Sequence, residues 1–151
     1  MRSQVLEMLY ELAGRPEMPQ DAMELPFTDV PGSAPYRQML AWAYREGIVE
    51  GYSETFFGAY APVQRSQLAA MLMRAAQASG EEITIPKMDL NGYADGETVP
   101  EWAKQSLVWA VEMGYLRADE QNNLRPREYV TRAEFAYILM MYYEQMYTGG
   151  Q

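Results

Sequence analysis

At 151 residues the chain is about one domain long, and a globule of that size buries roughly 68–70% of its extended surface, so a true core is within reach. With 48% apolar and 22% charged residues it lacks the signature of disorder, no apolar run approaches the roughly 18 residues of a transmembrane helix, and a net charge of −9 excludes the basic face of a nucleic-acid binder. Cysteine and histidine are absent, which removes disulfides, thiolate chemistry and the side chain best suited to proton transfer near neutrality.

The first predicted element is a helix over residues 1–14. In "RSQVLEMLYELAG" the apolar residues Val5, Met8, Leu9 and Leu12 fall at i, i+3, i+4 and i+7, and Gly14 supplies the stop. Glu7 and Glu11 interrupt what an export signal would keep apolar, so the segment does not read as one; an exported protein would already have lost its signal. A linker, "RPEMPQDAMELP", covers 15–26. The helix "APYRQMLAWAYREG" follows and ends at Gly47, then the loop "IVEGYSETFFGAYAPVQ", rich in turn formers, leads into "RSQLAAMLMRAAQASG", whose stripe is Leu68, Met71, Leu72, Ala75 and Ala76. After the linker "EEITIPKMDLNG" at 81–92 the order repeats. "VPEWAKQSLVWAVEMG", with Pro100 suited to a first turn, ends at Gly114; the loop "YLRADEQNNLRPREYV" leads into "TRAEFAYILMMYYEQM", with Phe135, Ile138, Leu139, Tyr142 and Met146 as its stripe. The tail 148–151, "TGGQ", is expected to fray.

These elements are one unit repeated. Arginine opens three helices, as Arg2, Arg65 and Arg132, at spacings of 65 − 2 = 63 and 132 − 65 = 67 residues, and Trp109 follows Trp42 by 109 − 42 = 67. The predicted class is therefore all-α: a helix–loop–helix repeat at 27–80, a second at 93–147, and the second helix of a preceding repeat at 1–14. A cation in a first helical turn opposes the macrodipole at a cost of a few tenths of a kcal/mol, so the three arginines call for an explanation beyond helix formation. Around Arg132, Thr131 and Glu134 form a capping box in which the hydroxyl caps the first turn and the carboxylate returns to the cap's N–H; around Arg65 the serial partner is Gln67.

The order of motifs resembles the S-layer homology domain. The residues that carry the likeness are "FTDV" at 27–30, "AWAYREGIVEGY" at 41–52, Phe57, Gly58, Pro62 and "RSQLAAML" at 65–72; then "YAD" at 93–95, "EWAKQSLVWAVEMGYL" at 101–116, Leu124, Pro126 and "VTRAEFAYIL" at 130–139. The resemblance implies repeats packed about a pseudo-threefold axis that anchor a bacterial surface protein without covalent bonds to anionic, often pyruvylated, secondary cell-wall polysaccharide. It implies an extracellular place at the cell wall, and a glycan-contacting arginine that maps onto Arg132 and by position onto Arg65 and Arg2, with Glu134 and Gln67 in the same motif. It also sets Asp29 and Asp95 near the groove and Gly51 and Tyr52 in the contact loop. The chain departs from the pattern at Gln64 to Gln67, at Glu54-Thr55, at Tyr60 and Ala61, and at Ala118-Asp119.

Each candidate has a structural alternative. Trp42, Trp109 and Trp102 suit either sugar stacking or the core; Asp29 and Asp95 suit turns; Gly47, Gly51 and Gly114 suit positive-φ stops; the twelve methionines suit adaptable packing. Asp119, Gln121 and Asn123 alternate like calcium ligands, but the twelfth position is Val130 and not a bidentate glutamate, which excludes an EF-hand loop. The 21 acidic residues fall in no motif that specifies a glycosidase pair, so the reading is a non-catalytic binding module with no cofactor. The alternative is a protein–protein scaffold with a degraded glycan site, in which another copy or an adjacent repeat completes the bundle.

Overall fold

The computed structural model describes residues 1–87 and 89–148. Five α-helices carry the fold: α1 Arg2–Leu12, α2 Arg37–Arg45, α3 Arg65–Ala78, α4 Lys104–Glu112 and α5 Arg132–Tyr143. Among the described residues there is no strand; Gln64 and Tyr129 form a lone antiparallel bridge. The fold is all-α. Pro100, at φ −65°, precedes a 3₁₀ turn, Glu101–Ala103, that leads into α4, and α5 runs into a π-helical turn, Glu144–Thr148. Of the expected tail, Thr148 closes that turn and residues 149–151 lie outside the described residues.

The chain divides into two compact units, and their boundaries are not those of the repeat. One unit holds Met1–Pro62 with Ala78–Gly80; the other holds Val63–Gln77 and the chain from Glu81 on. The cut falls before α3, so each unit joins the second helix of one repeat to the first helix and loop of the next. Helix α1 thereby holds in the first unit the place that α3 holds in the second.

In the first unit α1 packs on α2. Val5, Leu6, Leu9 and Tyr10 are buried with Leu40, Ala43, Ile48 and Phe57, and the Tyr10 ring meets Trp42 edge-on at 5.6 Å. Met8, predicted to face inward, is exposed, and Leu6 and Tyr10 take the inner face. In the second unit Leu68, Leu72, Leu107, Leu124 and Ile138 are almost fully buried, and Trp109, Tyr115 and Tyr142 form a chain of ring contacts at 5.4 and 5.9 Å. Burying side chains of this size contributes roughly 1.5–3 kcal/mol each. On α5, Ile138 and Tyr142 are buried, while Phe135 and Leu139 are only half-buried, as is Met146 in the π-helical turn that follows.

Helix stops follow the expected chemistry at Gly47 and Gly114, which sit at φ 72° and 81°, a left-handed conformation that other residues adopt only with strain. Gly51 differs from expectation. It is not among the positive-φ glycines; its reason is space, since a Cβ there would lie 2.7 Å from the Phe56 carbonyl oxygen and 2.5 Å from the Phe27 ring.

Candidate functional site

The three repeat arginines occupy two kinds of surroundings. Arg2 is buried in the first unit, with its guanidinium over the Tyr52 and Phe57 rings at 4.8 and 4.6 Å and an Nη2–H donating to the Glu50 carbonyl. Arg65 is buried in the second unit. Its Nε–H donates to the Leu124 carbonyl at 2.9 Å, Nη2–H to the Arg117 carbonyl at 2.9 Å, and Nη1–H to the Glu134 carboxylate. Glu50 and Arg117 are equivalent positions, 117 − 50 = 67.

The backbone repeats the arrangement. Arg2 and Ser3 donate to the Ala61 and Ala59 carbonyls at 3.0 and 2.9 Å; Arg65 and Ser66 donate to Glu128 and Pro126 at 2.9 and 3.0 Å. Two of the orphan N–H groups at each helix start are thus satisfied by carbonyls of one loop, which also accepts from the guanidinium, although the buried Arg2 Nε–H has no acceptor. That loop forms a cradle. Burial pushes both guanidinium pKa values down, and for Arg65 the Glu134 carboxylate works against burial. Arg65, expected at the ligand surface, has its donors turned inward and is 3% exposed.

Asp29 and Asp95 hold the cradle's shape. Asp29 accepts from the Phe57 and Gly58 N–H groups at 2.8 and 2.9 Å, and Asp95 accepts from Leu124 and Arg125 at 2.7 Å each. Burial raises the Asp29 pKa, but the N–H groups of Phe57, Gly58 and Asp29 itself outweigh it and hold the carboxyl below its ordinary range. Arg125, where the first unit has Gly58, keeps the same left-handed backbone at φ 55°. Tyr52 is half exposed and lies against Gly58, where a Cβ would come within 2.7 Å of its ring.

Trp42 and Trp109 are core residues, 8% and 3% exposed, and their ring faces cannot receive a sugar; Trp102 is exposed. The caps differ between motifs. The Gln64 N–H donates to the Gln67 side chain at 3.0 Å, the back-bond expected there. Around α5, the Glu134 N–H donates to Thr131 Oγ1 at 3.1 Å, but the Glu134 carboxylate accepts from the Thr131 hydroxyl and from Arg65, because the buried guanidinium claims it.

Arg132 is exposed. The segment before it carries exposed Arg127 and an exposed Tyr129, neither singled out by pattern because both lie in a loop without periodicity. Beside them a cleft of about 370 Å³ is lined by Asp95, Thr98, Asp119, Asn123, Arg125, Pro126, Arg127 and Glu128. Among the described residues no group of three or more acidic side chains is placed to hold a metal ion, and no helix is long and apolar enough to cross a membrane.

Residues 26–69 and 92–136 match the S-layer homology domain. The chain is 36% identical over 115 residues to the surface-layer 125 kDa protein of Lysinibacillus sphaericus, covering 74% of this chain and 9% of that protein. It is 27% identical over 122 residues to exoglucanase XynX of Acetivibrio thermocellus (80% of this chain, 11% of that protein) and 28% identical over 116 residues to an amylopullulanase of Thermoanaerobacterium thermosulfurigenes (75% and 6%). This chain therefore spans about a tenth or less of the length of these relatives. Two matched repeats that together cover more than half of the chain, with the 36% identity to the surface-layer protein, place the chain in the S-layer homology family.

Proposed function

We propose that the chain is a non-catalytic module that anchors a bacterial surface protein by binding anionic cell-wall polysaccharide, with Arg132 as the principal contact. The relatives support the setting: one is named for the surface layer, and the enzymes among them match over 11% and 6% of their length, too little to carry an activity across. The observation that carries the reading is the exposure of Arg132 at the start of α5, where Arg2 and Arg65 are buried. A helix start offers N–H donors and partial positive charge, to which the guanidinium adds a fork matched to a carboxylate. Arg127 and the exposed ring of Tyr129 extend the surface for a polymer.

The net charge of −9 does not oppose this, because charges beyond about 8 Å are largely screened at physiological salt. One charge-assisted hydrogen bond contributes about 1.5–3 kcal/mol, so Arg132→Ala should weaken co-sedimentation with wall sacculi by roughly ten- to a hundredfold, with little change in melting temperature. Undiminished sedimentation of that variant, or sedimentation unaffected by stripping the acidic polymer from the sacculi, would overturn the reading. The second outcome would favour a protein-binding scaffold, for which the exposed aromatic face of α5 is the supporting observation.

A further inference from the structure

The loop before α3 carries exposed aromatic side chains where the same loop before α5 carries polar ones. Tyr52, Phe56 and Tyr60 are 50%, 49% and 67% exposed. At the repeat offset of 67 residues (119 − 52, 123 − 56 and 127 − 60) their equivalents are Asp119, Asn123 and Arg127, which line the cleft of the second unit. The two loops share one frame. Asp29 and Asp95 each accept from two loop N–H groups, and Gly58 and Arg125 hold the same left-handed backbone at φ 76° and 55°. Folding of this loop therefore does not call for exposed rings, and apolar side chains gathered at a surface mark a site of interaction.

Two of the rings belong to a fixed surface. Tyr52 and Phe56 stand 6.4 Å apart at 43°, and Gly58 leaves them room: a Cβ there would lie 2.7 Å from the Tyr52 ring and 3.4 Å from that of Phe56. The buried Arg2 guanidinium, itself held by the Glu50 carbonyl, backs the Tyr52 ring at 4.8 Å. Ser53 fixes the backbone of Phe56, its N–H donating to the Phe56 carbonyl at 3.2 Å and its Oγ accepting from the Phe56 N–H at 3.1 Å. Groups ordered in advance lose little freedom when a ligand settles on them.

From this we infer that Tyr52 and Phe56 form a stacking surface for an uncharged pyranose, in the unit that does not hold Arg132. The inference rests on reading the chain as a polysaccharide-binding module and adds a second class of sugar to it. An aromatic ring suits the apolar C–H face of a pyranose whose hydroxyls are equatorial. Each ring contact takes about 3.5–4.0 Å, so rings 6.4 Å apart admit no sugar between them, and the sugar lies across them. The flanking residues match hydroxyls and not acids: Glu50 and Glu54 are exposed acceptors, and residues 46–64 include no Lys or Arg to draw a carboxylate.

Heteronuclear NMR titration of the full chain with cellotetraose and chitotetraose, both uncharged and built of pyranoses with equatorial substituents, tests it. Concentrations up to about 10 mM suffice for the millimolar affinity of a single stacked sugar. The expected result is shifts confined to the amides of residues 51–60 and retained in Arg132→Ala. Phe56→Asn, which introduces the residue that the second unit carries there, should weaken them at least tenfold with helicity unchanged by circular dichroism, while Phe56→Tyr preserves them. No shifts with either saccharide, shifts lost in Arg132→Ala, or shifts indifferent to Phe56→Asn would overturn the proposal. So would co-sedimentation with wall sacculi that protease treatment of the sacculi and Phe56→Asn abolish alike, since the rings would then serve a protein partner. Neither probe is acidic, so failure here leaves the Arg132 reading standing, and failure of that reading does not move these shifts.

Discussion

Arg65→Ala gives the sharpest test of the cradle. The side chain is 4% exposed and its guanidinium serves three acceptors, the Leu124 and Arg117 carbonyls and the Glu134 carboxylate. These do not weigh equally. Glu134 is 29% exposed and rehydrates when the cation leaves, so its share is that of a surface pair, about 0.2–1 kcal/mol. Leu124 is 1% exposed, and a buried carbonyl left without a partner costs about 1–3 kcal/mol. Because no buried charge is left behind, the loss of the guanidinium costs the sum of these shares, about 1–4 kcal/mol. The variant should therefore lose about 1–4 kcal/mol in urea unfolding of the full chain, read by hydrogen exchange at the amides of α3 and α5, whereas Glu134→Gln should lose under about 1 kcal/mol. The reasoning is refuted if Arg65→Ala costs less than about 1 kcal/mol, or if Glu134→Gln costs as much, since the ion pair and not the carbonyls would then hold the guanidinium.

Thr131→Ala removes the hydroxyl that caps the Glu134 N–H and should cost about 1 kcal/mol by chemical denaturation; a wild-type midpoint would contradict the cap. Gly51→Ala drives a Cβ to 2.7 Å from the Phe56 backbone and should cost about 1–3 kcal/mol, with the loss visible in the near-ultraviolet dichroism of Phe27 and its neighbours. Asp29 has a folded pKa below its unfolded value, so its contribution is present above the unfolded value of about 3.9 and is lost as the pH falls through the folded one. Asp29→Asn should lower the melting temperature at neutral pH and flatten its decline below about pH 4; parallel curves for the two proteins would exclude a stabilising role for the Asp29 carboxylate on the Phe57 and Gly58 N–H groups.

The parts of the fold that local rules determine were readable. Periodicity located five helices, glycine at 47 and 114 ended two of them, and the stripe on α3 is buried as its spacing predicts. On α1 periodicity picked Val5, Met8, Leu9 and Leu12, but Leu6 and Tyr10 continue an equally apolar arc, and contact with α2 decides for the latter. The burial of Arg2 and Arg65 was out of reach for a different reason. Their acceptors are backbone carbonyls 48 to 59 residues away in sequence, and every residue type presents the same carbonyl. For Trp42 and Trp109 the spacing fitted core and sugar platform alike, and only the ring contacts with Tyr10 and Tyr115 separate the two.

The cost of a cation in a helix's first turn has a specific remedy in this fold. The macrodipole disfavours Arg2 and Arg65 where they stand, but the loop seated against each helix start turns carbonyl oxygens toward them, placing the negative ends of peptide dipoles beside the positive ones. The same loop takes the two leading N–H groups of the helix, so guanidinium and helix end are neutralised together. Whether a repeat arginine is latched thus depends on whether a cradle covers its helix start. Arg2 and Arg65 are latched, and their exposure would require opening the unit that buries them. Arg132 stands at the same helix position and the same helix polarity, but with its side chain at the surface, so its guanidinium is not claimed by carbonyls of its own chain as those of Arg2 and Arg65 are.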